Sequence, residues 1–267
     1  MMEKIGLVAG AGSLPVEFVR SARAKGDKVV VYAIEGMASR ELDNAADKTY
    51  WLNIGQFKKF IFLLIKERIR KLALLGKVDK GVIYDKKIHD EEASSVLSNV
   101  ENKKDYSILE EITRRLKILG IEVIKGTDYL AHLLPEKGVM GQILPDDRIR
   151  DDIEFGVKAA KRLADMDIGQ TIVVKDKTIV AVEAMEGTNA TIRRAREIAG
   201  DGCTMIKVSR IKQDMRWDIP TVGPETITLL GENNFGALAI ESGNMFVIDK
   251  ERFLQKANES NIVVEAV

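Results

Sequence analysis

Residues 5–34 read IGLVAGAGSLPVEFVRSARAKGDKVVVYAI, and this stretch decides the fold of the N-terminal part of the chain. The apolar run at 5–9 is typical of a buried strand, and a glycine-rich turn follows it. Pro15 suits the first turn of a helix that the Ser13 hydroxyl is expected to cap. Residues 28–34 form a second, almost continuous apolar run, as expected for a parallel strand covered on both faces. The stretch therefore predicts a β-α-β unit.

The same alternation of strands and helices continues along the first half of the chain. It predicts a Rossmann-like domain with a parallel sheet over residues 1–132. Residues 133–146 carry prolines and glycines without hydrophobic periodicity, and we interpret them as a linker that acts as a hinge. Residues 147–267 combine helices, a hairpin and further strands. They predict a mixed α/β C-terminal domain, so the predicted fold class is α/β with two domains.

The composition is that of an ordinary globular protein of 267 residues, with 45% hydrophobic and 31% charged residues. Basic and acidic residues both number 41, and a net charge of zero argues against general nucleic-acid binding. Cys203 is the only cysteine and there are two histidines. Any catalytic metal should therefore be Mg²⁺ or Mn²⁺ on oxygen ligands. The single cysteine, with no signal or membrane-spanning segment in the sequence, favours a cytoplasmic protein.

Residues 207–226, KVSRIKQDMRWDIPTVGPET, form the most informative segment for function. The segment places two carboxylates, Asp214 and Asp218, on either side of Arg216. Carboxylates on irregular backbone suit a hard metal ion, and neighbouring cations suit phosphoryl oxygens. We therefore predict these three residues as catalytic and both aspartates as metal ligands. The alternative is a surface loop with solvated salt bridges. Further cations lie just upstream, at Lys207, Arg210 and Lys212.

Three other segments lie at the ends of predicted strands, where ligands bind in open α/β sheets. The turn with Gly10 and Gly12 can hold a phosphate on a helix N-terminus, although Pro15 breaks the dinucleotide fingerprint, and a purely structural turn is the alternative. Gly76-Lys77 lies at the C-terminal end of another predicted strand. Residues 183–191 run from a strand into a helix that Thr188 or Asn189 is expected to cap, leaving backbone N–H groups for an anion.

Two C-terminal motifs, VEAMEGT at 182–188 and QDMRWDIPTVGP at 213–224, resemble those of the LpxI-type UDP-2,3-diacylglucosamine pyrophosphatases of lipid A biosynthesis. The resemblance continues into GLVAGAGSLP at 6–15, so it reaches both predicted domains. Shorter matches lie at 55–56, 76–77, 152–156 and 167–170. The resemblance therefore spans nearly the whole chain.

The resemblance implies a two-domain, Mg²⁺-dependent cytoplasmic hydrolase. Such enzymes split the UDP-sugar pyrophosphate into UMP and the diacylated sugar 1-phosphate called lipid X. An acylated substrate needs an apolar surface, so we expect the site in the cleft between the domains. Asp214 corresponds to the aspartate of the family's Gln-Asp-x-Arg motif and is the first catalytic candidate. Peripheral contact with the inner membrane and a homo-oligomer both stay open. The predicted substrate-binding residues are Gly10, Gly12, Ser13, Gly76, Lys77, Glu183, Glu186, Gly187, Thr188, Lys207, Gln213 and Thr221.

Two other classes of protein stay open as alternatives. The first is a nucleotide- or NAD-binding Rossmann protein with a regulatory C-terminal domain, in which Glu35 follows the second strand at a place suited to a ribose. The second is a membrane-surface adaptor that uses residues 58–71 as a basic amphipathic helix. Release of UMP from UDP-2,3-diacylglucosamine in the presence of Mg²⁺ discriminates the hydrolase from both.

Overall fold

The computed structural model describes residues 2–78, 90–98, 105–211 and 213–267. The chain divides into two units: unit 1 is Met1–Ala131 with Met215–Trp217, and unit 2 is His132–Asp214 with Asp218–Val267. Unit 1 holds a parallel sheet and unit 2 a mixed sheet, which confirms the predicted fold class. The domain boundaries at 132 and 147, and the hinge between them, stay predictions.

In its described ranges, unit 1 contains five strands and six α-helices. The strands are β1 (Lys4–Ala9), β2 (Lys28–Ile34), β3 (Lys48–Leu52), β4 (Lys71–Leu75) and β5 (Glu122–Val123). The helices are α1 (Leu14–Ala24), α2 (Leu42–Ala45), α3 (Phe57–Lys66), α4 (Glu91–Ser98), α5 (Asp105–Ile118) and α6 (Thr127–Leu130). The strand order is β3-β2-β1-β4-β5 and all neighbours are parallel. The chain thus winds outward from β1 in both directions, as in Rossmann-like folds.

One core cluster of unit 1 packs the sheet against α3 and α5. Tyr32 of β2, Leu64 of α3 and Leu116 of α5 are almost completely buried in this cluster. Removal of their apolar surface from water is the main force that holds these helices on the sheet. Trp217 is half-buried against the same cluster. This contact explains why a short segment from late in the sequence belongs to unit 1.

Two helix ends in unit 1 differ from the sequence-based prediction. The helix predicted to run through residue 71 ends at Lys66, because Arg68 adopts a positive φ of 57° and β4 begins at Lys71. The basic helix expected of a membrane adaptor is therefore shorter than predicted. Ser13 occupies the N-cap position of α1, but its side chain makes no capping hydrogen bond, so that prediction is wrong. The expected place of Pro15 in the first turn is confirmed.

Glu67, which follows α3, is a mostly buried carboxylate with three charged or hydroxyl partners. Lys4 Nζ donates to Oε2 at 2.6 Å, and Lys48 Nζ and Tyr50 Oη donate to Oε1 at 2.7 Å and 2.6 Å. These hydrogen bonds lower the pKa of Glu67 from its ordinary 4.5 to about 2. The cluster joins α3 to β1 and β3, so the ionised carboxylate stabilises the folded form of unit 1.

We expect Glu67→Gln to lower the free energy of unfolding by about 1–3 kcal/mol at neutral pH, since buried donors lose a charged acceptor. The folded-state pKa is depressed, so this contribution is complete above pH 4.5 and is lost as the pH falls towards 2. Urea denaturation at several pH values measures the difference from the wild type. Glu3→Gln, which removes an exposed partner of Lys71, is the control and should cost less than about 1 kcal/mol. A difference that grows on acidification contradicts the prediction.

Unit 2 contains eight strands and four helices in the part that the structure describes. The strands are β6 (Gly138–Val139), β7 (Thr171–Lys175), β8 (Thr178–Val182), β9 (Thr204–Lys207), β10 (Thr221–Val222), β11 (Ala237–Ile240), β12 (Phe246–Val247) and β13 (Val263–Ala266). The helices are α7 (Asp147–Asp165), α8 (Thr188–Ala199), α9 (Pro224–Glu232) and α10 (Lys250–Glu259). Six strands form a mixed sheet of order β6-β13-β11-β9-β7-β8, and β10 pairs with β12. None of the helices in the described ranges has the length and apolar content that crossing a bilayer requires.

Candidate active site

The register of the six-stranded sheet brings several predicted site segments to one edge of unit 2. Lys207, the last residue of β9, lies opposite Thr171 at the start of β7 and Ile240 at the end of β11. Strand β8 runs antiparallel to β7, with Val182 opposite Ile172. The loops that follow β8, β9 and β11 therefore leave the sheet at the same edge. In sheets with parallel strands, ligands bind at the edge where the strands end.

The acidic loop, residues 208–218, is held in shape by the side chain of Gln213. Its Oε1 accepts hydrogen bonds from Gln170 Nε2 at 3.0 Å and from the Arg210 N–H at 3.1 Å. Its Nε2 donates to the Asp218 carbonyl oxygen. One amide therefore joins Arg210 near the start of the loop to Asp218 at its end. The predicted role of Gln213 in substrate binding stays a prediction.

The three predicted catalytic residues lie within a single turn of the acidic loop, and all are half-buried. The Asp218 N–H donates to the Asp214 carbonyl oxygen at 3.1 Å, so the two aspartates stand at the ends of this turn. Between them, the guanidinium carbon of Arg216 lies 4.2 Å from the ring centroid of Trp217. A cation–π contact of this kind orients the guanidinium group.

Arg210 links the acidic loop to the segment that precedes β7. Its Nη2 lies 3.0 Å from Asp167 Oδ1, and its Nη1 lies 3.9 Å from Asp218 Oδ2. Arg210 thus contacts both Asp218 and a second acid, Asp167. Lys207 is the last residue of β9 and Thr221 the first residue of β10, and both are half-buried. Lys212 lies outside the described residues.

The donor set of this loop fits an open magnesium site. Within the described ranges, no three His, Cys, Asp or Glu side chains converge as a closed metal cage would require. Asp214 and Asp218 share one turn and supply two carboxylates. Mg²⁺ is commonly bound by one or two carboxylates together with substrate phosphates and water. The pair is therefore compatible with a metal whose coordination the substrate completes.

The loop between β8 and α8 carries two acids that are already bound by protein donors. Thr188 Oγ1 donates to Glu183 Oε1 at 2.7 Å, and Arg194 Nη2 donates to Glu186 Oε1 at 2.5 Å. Hydrogen bonds from its own backbone N–H and from Arg194 lower the pKa of Glu186. Gly187 occupies the N-cap position of α8 with a φ of 78° and Thr188 is the first helical residue, so the predicted cap by Thr188 or Asn189 is wrong.

The two glycine turns of unit 1 lie against each other at the end of its sheet. The Gly10 N–H donates to the Leu75 carbonyl at 2.8 Å, and Ala11 forms a two-residue antiparallel bridge with Lys77. A Cβ atom on Gly10 would lie 2.5 Å from the Lys77 carbonyl oxygen, and one on Gly76, where φ is 95°, would lie 2.7 Å from the Gly10 carbonyl carbon. The two backbone segments lie so close together that neither Gly10 nor Gly76 has room for a side chain. This observation agrees with the alternative interpretation, in which the turn is purely structural.

The other two predicted residues of this turn line a groove of unit 1. Gly12 and Ser13 border it at the start of α1, and Met37 and Ser39 border it after β2. The groove encloses about 420 Å³ and lies beside the N-terminus of α1, where an anion is favoured by the helix dipole. The roles of Gly12 and Ser13 in substrate binding stay predictions.

Gly169, between α7 and β7, has a packing role that the sequence does not reveal. A Cβ atom there would lie 1.9 Å from the Glu183 carbonyl oxygen, a backbone atom that cannot move without disturbing β8. We expect Gly169→Ala to lower the free energy of unfolding of unit 2 by about 3 kcal/mol or more, because overlap with backbone forces a rearrangement. Chemical denaturation measures the effect.

Gly236→Ala is the matched control for this substitution. A Cβ atom on Gly236 meets no atom nearer than the Gly202 carbonyl oxygen at 3.5 Å. It should change the free energy of unfolding by less than about 1 kcal/mol. Equal effects of the two substitutions would show that overlap with Glu183 is not the cause.

Sequence reasoning missed several residues that hold the acidic loop. Asp165 Oδ1 accepts the Ile211 N–H at 3.0 Å, Gln170 contacts Gln213, and Glu241 accepts the Ser209 N–H at 2.7 Å. A signal was present for Glu241, since it is an acid directly after the buried apolar strand β11. Gln170 lies in one of the short motifs that carried the family resemblance, although no role was assigned to it.

These features define a class of protein. It has a Rossmann-like unit with a fully parallel sheet, and a second α/β unit in which β9 leads into the acidic loop with its carboxylates and arginines. Residues 4–133 match the LpxI N-terminal domain and residues 136–265 match the LpxI C-terminal domain. The chain therefore belongs to the LpxI family, as its motifs predicted. One relative, the UDP-2,3-diacylglucosamine pyrophosphatase LpxI of Caulobacter vibrioides, is 27% identical over 279 residues, covering 100% of this chain and 98% of the relative.

Some solved biotin carboxylases share a weak likeness with this chain. The biotin carboxylase domain of a thermophilic 2-oxoglutarate carboxylase bound to ADP is 15% identical, with a TM-score of 0.29 over 65% of this chain and 35% of that one. The biotin carboxylase of Campylobacter jejuni is 13% identical, with a TM-score of 0.24 over 73% of this chain and 42% of that one. The chain thus spans less than half of these structures, and TM-scores this low support no argument about fold or function.

Proposed function

We propose that this protein hydrolyses the pyrophosphate bond of UDP-2,3-diacylglucosamine in lipid A biosynthesis. The observation that carries the proposal is the similarity, over the whole chain, to a pyrophosphatase of that specificity. The acidic loop supports it, because the loop follows β9 at the edge where the strands end and carries carboxylates and a guanidinium. Water adds to one phosphorus, the anhydride P–O bond breaks, a proton is released, and the products are UMP and lipid X.

The acidic loop provides the groups that this reaction needs. Arg216, and Lys207 at the end of β9, are suited to the non-bridging phosphoryl oxygens, where negative charge concentrates in the transition state. Asp214 is suited to fix the position of the attacking water. Positioning of this kind requires a loop of one shape, and the hydrogen bonds of Gln213 favour such a loop.

Asp214 and Asp218 are the residues that we propose to hold Mg²⁺, with Mn²⁺ as a substitute. When bound, the ion neutralises charge on the pyrophosphate and polarises its oxygens. The contributions of Gly10, Gly12 and Ser13 to the same substrate stay predictions. Because lipid X is a diacylated lipid, we further propose that the protein meets the inner membrane peripherally.

The test is direct. Purified protein is incubated with UDP-2,3-diacylglucosamine and Mg²⁺, and UMP and lipid X are measured by mass spectrometry. Equimolar release of both products is the expected result. Unacylated UDP-glucosamine serves as the control for the acyl chains, and NAD⁺ and NADH binding, measured by calorimetry, tests the alternative Rossmann function. Tight binding of the dinucleotide together with no UMP release would replace the proposal by that alternative.

A further inference from the structure

Glu241 follows β11 directly and places a mostly buried carboxylate at the same sheet edge as the acidic loop; its side chain is 14% exposed. Four hydrogen bonds converge on it. Oε2 accepts from the Ser209 N–H and the Ser209 hydroxyl, both at 2.7 Å. Oε1 accepts from Lys161 Nζ at 2.7 Å and from Asn244 Nδ2 at 2.9 Å. The carboxylate is therefore saturated with protein donors.

Ser209 is the point at which the chain leaves β9 and enters the acidic loop. Ser209 is 2% exposed, and its N–H, hydroxyl and carbonyl groups all have hydrogen-bond partners. Its N–H and hydroxyl bind Glu241, and its carbonyl oxygen accepts a hydrogen bond from Lys161 Nζ at 3.1 Å. We call Glu241, Lys161 and Ser209 the Ser209 clip. The clip joins α7 and the end of β11 to the first residues of the acidic loop.

The clip supplies directed hydrogen bonds in addition to packing. The side chains of Lys161 and Glu241 are 31% and 14% exposed, so their ion pair is partly desolvated, which costs free energy. Apolar residues of similar size often hold such a position equally well. Burial raises the pKa of Glu241, but the donors from Lys161, Ser209 and Asn244 outweigh it, so the pKa lies below its ordinary value. The carboxylate is thus ionised at neutral pH and offers two acceptors in fixed directions, which an apolar contact cannot supply.

We propose that the Ser209 clip positions the acidic loop for catalysis. It fixes the direction in which the chain leaves β9, so that the turn from Asp214 to Asp218 is presented in one orientation. Glu241 and Lys161 are then positioning residues that do not touch the substrate. The inference rests on the proposed hydrolysis for its kinetic consequence, whereas its structural consequence, an ordered loop, is independent of any substrate.

The kinetic test uses Glu241→Gln and Lys161→Met. Each removes charge from the clip with little change in shape, and each should lower kcat about 10- to 100-fold with KM nearly unchanged, because a small misplacement of catalytic groups has effects of this size. Lys161→Arg retains the cation and should recover most of the wild-type kcat. Lys158→Met is the matched control, since Lys158 lies on the same helix in an exposed pair with Glu154. It should leave kcat unchanged.

The structural test measures tryptic cleavage after Arg210 and Arg216 by mass spectrometry, well below the unfolding temperature. Both clip variants should be cleaved in the acidic loop about tenfold faster than the wild type, because local opening becomes easier. Lys158→Met should be cleaved in the acidic loop at the wild-type rate. Glu67→Gln, which disrupts a comparable buried carboxylate in unit 1, controls for general destabilisation and should also leave loop cleavage unchanged.

The outcomes separate this inference from the proposed function. The inference is overturned if the acidic loop of the clip variants is cleaved at the wild-type rate, whether or not kcat falls. It is also overturned if Glu67→Gln accelerates loop cleavage as much as the clip variants do. Normal kcat in folded clip variants overturns it as well. If the wild-type protein hydrolyses no UDP-2,3-diacylglucosamine but loop cleavage is still selectively faster in the clip variants, the proposed function is rejected and the clip is supported as the device that orders the loop.

Discussion

Asp214→Asn should lower the rate of UDP-2,3-diacylglucosamine hydrolysis by about 100- to 1000-fold, the usual cost of removing one group that stabilises or orients the transition state. Asparagine keeps the size and one oxygen of the side chain but removes the negative charge. The Asp214 carbonyl, which accepts the Asp218 N–H, is unaffected, so the turn itself should persist. Steady-state release of UMP measures the effect, with circular dichroism and thermal unfolding as checks of the fold.

Asp147→Asn is the matched control. Asp147 lies in the first turn of α7, and its side chain is fully exposed beside Arg150. The same chemical change there should alter kcat by less than about twofold, because exposed ion pairs contribute little. Near-normal turnover by a folded Asp214→Asn protein would remove this residue from the catalytic machinery.

Removal of divalent metal should abolish hydrolysis, and adding back Mg²⁺ or Mn²⁺ should restore it. The reason is the charge of the pyrophosphate, which the cations of the acidic loop offset only in part. The measurement is UMP release after exhaustive chelation with EDTA and after titration with each metal.

A second measurement makes the metal prediction independent of turnover. Binding of Mn²⁺ in the presence of UMP is followed by electron paramagnetic resonance in the wild type, in Asp214→Asn and in Asp218→Asn. Loss of binding in both variants, with retention in Asp147→Asn, is the expected pattern. Full activity after chelation contradicts the prediction, and equal Mn²⁺ binding by all four proteins argues against the two aspartates as ligands.

Much of the fold could be predicted because it depends on local patterns of apolar and turn-forming residues. The run at 5–9, the turn that follows and the run at 28–34 specify a β-α-β unit through apolar periodicity and turn residues, and the structure contains it as β1, α1 and β2. Helix ends were less predictable. The stop at Lys66 depends on the left-handed conformation of Arg68, and the next residue, Ile69, is buried in the core of unit 1. The cap expected at Thr188 failed because the helix begins one residue earlier than predicted, with Gly187 at the N-cap position, and the Thr188 hydroxyl donates to Glu183.

The sequence by itself determined the two α/β parts, the family, and the segment in which the candidate catalytic residues lie, because these depend on periodicity and on motifs of adjacent residues. Only the tertiary structure decided what holds that segment. Lys161, Gln170 and Glu241 come from separate elements, and they meet the acidic loop because parallel and antiparallel registers bring their strand and helix ends to one sheet edge. Hydrogen bonds are short-ranged and directional, so a contact between residues far apart in sequence is set by topology and leaves no local pattern to read.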